Sequence, residues 1–440
     1  MLSAILSSAM LGYVKRDKND TRVGEEVRRF GSIDYVKITL FGFSLSTLFA
    51  SLHIIIMPVR LLDFVPVALK NTYLDLLILT GLMLAMVVQP LVGAISDRSS
   101  FRWGRRRPYI LVSTILALLF IPGLGFFGSY MAIFIIYCLL QISSNTAQGP
   151  YQAFIPDLVP EGKRGLASGV RGLFNLVGGI ALVRLIALFM NRYWTEEGSS
   201  WLWLSLAVLG MVLLGTMLVT VFTVKERPRT GTPQVPLLSS LRGIFRIDVK
   251  VRRDFILFLV AFFLIDMALG TLMAHALYYF LDVFGIANLV SGTADFLIWI
   301  GIGMLVAVYP AGRLSDRIGR RPIVVSAGLI GALGVVVLFF TQNYTYVLIS
   351  GVILGICGGA WVSSSWALAT DLVGKGEEAR YMGLVNMSVA GAGAAARLIG
   401  PLIDFFNAAS ANLGYQVMLA ACFIYLVMGS ALLMKVKIRR

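Results

Sequence analysis

Twelve apolar runs, each about 20 residues or longer, follow one another along this chain. In hydrocarbon every backbone N–H and C=O must be satisfied within the structure, and a helix of that length does so within one segment. Composition agrees: the chain is 58% hydrophobic and 14% charged, against roughly 25% charged in soluble proteins. The expected fold class is therefore an all-α integral membrane protein with twelve transmembrane helices. The net charge of +15 is not read as nucleic-acid binding, because the excess sits between the apolar runs, facing membrane lipids. Cys138, Cys357 and Cys422 fall inside apolar runs and offer neither a disulfide framework nor metal-ligand spacing. Met1–Leu11 is mildly apolar but no basic stretch precedes it, so it is not read as a signal peptide.

The expected spans are 35–62, 74–95, 108–128, 131–156, 167–190 and 201–224, then 253–284, 287–312, 322–341, 344–370, 383–405 and 414–436. They divide the chain into an N-terminal segment 1–34, a six-helix bundle 35–224, a polar linker 225–252, a second bundle 253–436 and a tail 437–440. The N-terminal segment, the even-numbered loops and the tail hold 29 Lys and Arg; the odd-numbered loops hold two, Lys70 and Arg192. Basic residues stay on the cytoplasmic side, so both termini and the linker are expected there, in a cell (inner) membrane.

One motif occurs in both halves. Gly93-Ala-Ile-Ser-Asp97-Arg98 leads to Gly104-Arg105-Arg106-Arg107-Pro108. Gly312-Arg-Leu-Ser-Asp316-Arg317 leads to Gly319-Arg320-Arg321-Pro322, its first glycine 219 positions after Gly93. Each copy lies where one apolar run gives way to the next, which marks a duplicated membrane transporter with two pseudo-symmetric bundles. Glycine allows close helix approach, the aspartate faces a helix N-terminus or an arginine, and the arginines face headgroups. Gly93, Asp97, Arg98, Gly104, Arg105, Gly312, Asp316, Arg317, Gly319 and Arg320 are expected to form a cytoplasmic gate. A purely topogenic charge cluster is the alternative.

This motif resembles the inter-helix signature of the major facilitator superfamily. The stretch Val88-Gln89-Pro90-Leu91-Val92-Gly93 through Arg102-Trp103-Gly104 resembles the sucrose–proton symporters of its glycoside–pentoside–hexuronide group, as does Gln148-Gly149-Pro150 with Asp157-Leu158. The second hairpin departs from that pattern, being four residues shorter between its Asp and Gly. The resemblance implies a central cavity among spans 1, 4, 7 and 10, with spans 2, 5, 8 and 11 where the bundles meet.

Ionisable groups at membrane depth are costly, so each is a functional candidate. Asp266, about 13 residues into span 7 and so near the midplane, competes for proton coupling with Asp157, favoured by the symporter-like stretch. Arg184 and Arg397 are expected to pair with Asp266 or Asp295, or to bind substrate. His53 and His275, on spans 1 and 7, are either cavity groups or interhelical hydrogen-bonders. Gln141, Asn145, Gln148 and Gln152 on span 4, and Trp361 and Trp366 on span 10, suit sugar hydroxyls and sugar faces; polar glue between helices is their alternative. Gly391-Ala-Gly393 reads as close helix packing.

With no nucleotide motif, neither ATP nor any other cofactor is expected, and the chain is not read as an enzyme. Proton-coupled uptake of a glycoside or small sugar by a monomer is the expectation. A proton-driven exporter of amphipathic molecules and a non-transporting assembly factor for pigment complexes are the alternatives. Cysteines placed singly within 225–252 are expected to escape an impermeant thiol reagent added to intact cells; labelling there reverses the orientation.

Overall fold

The computed structural model describes residues 31–226, 253–285, 289–373 and 378–437, apart from Ser100, Arg102, Glu197 and Gln342. The N-terminal segment before Gly31, nearly all of the 225–252 linker and the last three residues lie outside the described residues. Among the described residues no strand occurs, and twelve helices are long and apolar enough to cross a membrane. The first six spans are Ser32–Leu61, Val67–Asp97, Arg107–Phe126, Tyr130–Leu158, Arg164–Thr195 and Ser199–Thr223. The second six are Arg253–Phe284, Gly292–Ile318, Arg320–Phe340, Tyr344–Asp371, Tyr381–Ala409 and Leu413–Lys435.

Spans 2 and 8 run further than their hydropathy indicates. Helix geometry outlasts the last apolar residue, because the N–H of Arg98 still bonds to the carbonyls of Ile95 and Ser96. Gly93, Asp97, Gly312 and Asp316 therefore stand on final helical turns, not in the links between helices. The links are turned by Gly104 (φ +130°) and Gly319 (φ +98°), left-handed conformations that favour glycine. Both hairpins lie at one end of the bundle, here called the arginine-rich end; Lys70 and Arg192 belong to the opposite, arginine-poor end.

Two breaks within spans follow from proline, which has no N–H for the carbonyl four residues earlier. Span 1 widens into a π turn over Leu52–Ile56 just before Pro58. Span 11 tightens into a 3-10 turn over Ala396–Ile399, and its helix restarts at Gly400-Pro401.

Lipid tails are as apolar as leucine, so helices in membranes associate through small residues that let backbones approach. The tightest such seam joins spans 8 and 10. The Cα of Gly303 faces the Cα of Gly355 closely enough that a Cβ on either would stand 3.0 Å from the other glycine's Cα, and a Cβ on Gly359 would stand 2.6 Å from the Met304 carbonyl oxygen. The Gly391–Gly393 stretch packs more loosely than its sequence indicates: Gly391 meets the Phe263 ring at 3.5 Å and Gly393 has nothing within 4 Å. Its small residues border space, not a second backbone. Gly355→Val is expected to cost about 1–3 kcal/mol by overpacking, seen as a lower unfolding midpoint in detergent. Gly358→Ala, whose Cβ would meet only the Met304 side chain at 3.5 Å, should leave the midpoint nearly unchanged.

Candidate functional site

At the arginine-rich end, the first hairpin is tied to its own bundle. Arg106 reaches Asp97 and Asp157 at 2.7 Å each, and Arg105 reaches Asp157 at 2.5 Å. The Arg106 guanidinium also donates to the Pro150 carbonyl at 3.1 Å. Burial pushes Arg106 below its ordinary value, while Asp157 and Asp97 pull it back up. Glu226, just beyond span 6, accepts the backbone N–H groups of Arg105, Arg106 and Arg107 at 2.7–3.1 Å. A carboxylate there satisfies donors that a helix start leaves open. In the second bundle Arg320 pairs with Asp371 at 2.7 Å, the counterpart of Arg105 and Asp157. Asp316 and Arg317 are exposed on the last turns of span 8. These described pairs lie within bundles, so in this conformation the motif staples helices inside each half.

The hydrogen bonds and ion pairs that join the halves among described residues gather at the arginine-poor end. Asp75 on span 2 is 1% exposed. Its carboxylate receives the Gly400 N–H at 2.9 Å and the Arg397 guanidinium at 3.3 Å, and lies 2.9 Å from His275 Nε2. Nearby, Asp404 accepts from Asn71 Nδ2 and from the N–H and hydroxyl of Thr72 at 2.6–2.8 Å. Asp282 pairs with Lys70 at 2.5 Å and accepts from the Tyr415 hydroxyl at 2.6 Å. Tyr278 donates to the Pro58 carbonyl at 2.9 Å, the strand of contact from span 7 to span 1. We call this group the clasp. Spans 5 and 8 are joined separately by Arg184 and Asp295 at 2.9 Å.

His275 and Arg397 are thus buried in the joint between halves and meet Asp75; neither lines open space, and Arg397 does not meet Asp266. Asp75, Asn71, Asp404 and Glu226 were missed in sequence because each falls at or near a span end, where a polar side chain is ordinary; Asp282 reads there as an outer-surface acid and is found paired with Lys70.

At mid-membrane a polar chain runs along span 4. Gln152, exposed, donates to Gln89 at 3.3 Å; Gln89 donates to Asn145 at 2.6 Å; Asn145 donates to Gln141 at 2.9 Å. Gln141 then donates to the Tyr137 hydroxyl at 2.6 Å, which lies 2.8 Å from His53 Nε2 in the π turn of span 1. Gln148 is half-buried on the same helix. Across the bundle, the Trp361 indole N–H donates to Asp266 at 2.8 Å, while Trp366 is exposed. Spans 1, 5 and 8 also line an open apolar pocket of about 340 Å³ with Ile54, Ile180, Leu297 and Met304 in its wall and Arg184 among its polar lining.

The profile described as MFS/sugar transport protein matches residues 65–433. The chain is 36% identical over 124 residues to Sucrose transport protein SUT1 of Oryza sativa subsp. japonica, a match covering 23% of each chain. It is 27% identical over 312 residues to the Uncharacterized symporter YnaJ of Bacillus subtilis (strain 168), covering 66% of this chain and 64% of that one. The chain therefore spans about a quarter of the first relative's length and less than two thirds of the second's. Among solved structures, a D-xylose-proton symporter superposes with a TM-score of 0.68 at 17% identity, over 91% of this chain and 97% of that one. A bacterial homolog of the human lysosomal transporter Spinster, in an inward-facing and unoccupied conformation, gives 0.68 at 15% identity, over 92% and 98%. At such identities the likeness is one of fold.

A Cβ on Gly400 would stand 2.7 Å from the Asn71 carbonyl oxygen and closer still to the Asp75 carboxylate. Gly400→Ala is expected to push the halves apart at the arginine-poor end. Spin labels on exposed Val67 and Ser410 should report a longer distance than in the parent protein; an unchanged distance shows that the joint does not depend on this approach.

Proposed function

This chain belongs to the MFS/sugar transport protein family, and on that premise we propose that it is a secondary active transporter carrying a glycoside or small sugar with protons. The observation that carries the sugar reading is the chain of amides from Gln152 to His53. Every member can trade its neighbour for a sugar hydroxyl, which both donates and accepts. Trp361 and Trp366 on span 10 would supply faces for stacking.

Bundles 35–224 and 253–436 would rock as bodies, giving alternating access. The arginine-rich end would face the cytoplasm of a cell (inner) membrane, so the clasp would be the outer closure. Within this cycle the hairpin residues Asp97 and Asp316 would form latches when the arginine-rich end closes. Membrane lipids, protons and one small solute are the partners, and the unit is a monomer.

Asp266 is favoured as the proton-coupling acid over Asp157. Asp157 is held between Arg105 and Arg106, whereas Asp266 receives an indole N–H with no cationic partner among the described residues. A carrier must visit both charge states, and fixed cations hold a carboxylate in one of them.

The apolar pocket between spans 1, 5 and 8 favours a second reading, export of amphipathic molecules in exchange for protons. Proteoliposomes with an imposed proton gradient separate the two by the direction of solute movement. In the same vesicles Asp266→Asn is expected to abolish accumulation against a gradient while leaving solute exchange close to the parent rate. Accumulation by Asp266→Asn makes Asp266 a structural acid.

A further inference from the structure

His275 is fully buried, and both of its ring nitrogens face oxygens that cannot donate a hydrogen bond if Asp75 is ionised. Nδ1 lies 3.1 Å from the Thr271 carbonyl oxygen, and Nε2 lies 2.9 Å from the Asp75 carboxylate. A neutral imidazole carries one N–H, so one nitrogen would press a lone pair against an acceptor. Buried without water, such a contact costs a full unsatisfied group. The geometry is met only if the pair holds one proton more than a neutral histidine and a carboxylate. The Arg397 guanidinium lies 3.3 Å from the other Asp75 oxygen, an arrangement that suits a carboxylate there and an N–H on each ring nitrogen.

The charges around the pair demand the same proton. The clasp contains three carboxylates, Asp75, Asp404 and Asp282, and two fixed cations, Lys70 and Arg397. Asp404 is 5% exposed and its side-chain partners are an amide, a hydroxyl and a backbone N–H, with no cation. A neutral His275 leaves the clasp with one more carboxylate than cations, two of the three carboxylates being buried; an imidazolium balances it. Uncompensated buried charge is among the costliest arrangements a protein can hold. The other titratable groups facing the pair are His53 on span 1, Tyr278 on span 7 and Tyr415 on span 12. None of them supplies the missing positive charge at the pair: His53 is engaged with Tyr137 on its own half, and a phenol carries no positive charge.

We infer that a proton shared between His275 and Asp75 is the condition for closing the arginine-poor end. The two residues come from different halves, so the pair exists only while that end is shut. Losing the proton leaves span 2 and spans 7 and 11 repelled through unbalanced carboxylates, and the halves part. Asp266 lies nine residues along the same helix toward the arginine-rich end, about 13 Å at 1.5 Å per residue. Span 7 thus carries a gating proton site and a candidate coupling site in series. This inference rests on the alternating-access reading and adds the residue that couples protons to the gate.

The test uses full-length protein in nanodiscs without solute, with spin labels on Val67 and Ser410, from pH 5 to 9. The parent protein is expected to show the short distance at the acidic limit. His275→Gln, neutral at every pH, should lower the closed-to-open ratio about tenfold or more and remove any pH step in the distance. Adding Asp75→Asn to His275→Gln removes one carboxylate and restores charge balance. The double variant should regain the short distance, again without a pH step. Recovery also shows that glutamine at position 275 is compatible with a folded, closed protein, and the thermal unfolding midpoint of the single variant reports its own fold. The inference is overturned if His275→Gln keeps the parent's short distance or pH step, or if the double variant stays open. The transport reading fails separately: a His275-dependent distance change with no solute movement in vesicles sinks the transporter and leaves the gate.

Discussion

The carboxylate of Asp75 is the point on which the two halves close. At 1% exposure it cannot keep its charge without donors. It finds an arginine, a histidine and a backbone N–H, all on the opposite half. The backbone donor is the Gly400 N–H, at the point where span 11 passes from a 3-10 turn back to α-helix. The close approach exists because residue 400 has no side chain. Chain chemistry, helix geometry and the joint between halves therefore depend on one another at one spot. Removing a single partner strands a charge in a dry place, which is why such a joint tends to be either fully made or fully open.

The arginine-rich end follows a different physical logic. Its ion pairs join helices of the same half and involve carboxylates that are a third to a half exposed: Asp97 at 53%, Asp157 at 33% and Asp371 at 37% for the side chain. Water softens such pairs, so they contribute little each. Their use is to make spans 2, 3 and 4, with the Glu226 cap from span 6, behave as one lever. A stiff lever with a buried joint at one end carries movement between the ends, as the proposed cycle requires.

Between the ends the membrane interior holds two polar arrangements of unlike kind. The chain on span 4 is made of neutral groups whose amide donors from Gln152 to Gln141 all point toward Tyr137, so neighbouring bonds polarise one another. The acid on span 7 stands apart from it and accepts a single indole N–H. A neutral chain suits a solute of hydroxyls. A lone acid suits a proton. Their separation keeps solute and proton from competing for one group under the proposed coupling.

The sequence by itself determined the class and count of helices, because hydrocarbon leaves a backbone few choices and about 20 apolar residues state the choice locally. The duplication was also legible, since Gly, Asp and Arg recur at matched places. Pairings between distant residues were not. Arg397 could have met Asp266 or Asp295 by depth alone; Asp75 took it, because spans 2 and 11 pack together where the two halves meet. Asp75 and Asp404 lie near span ends, where nothing in the sequence tells a buried acid from a water-facing one; the packing of the two halves covers both. Burial of an acid near a helix end is set by what packs over it, and that is a property of the tertiary structure alone.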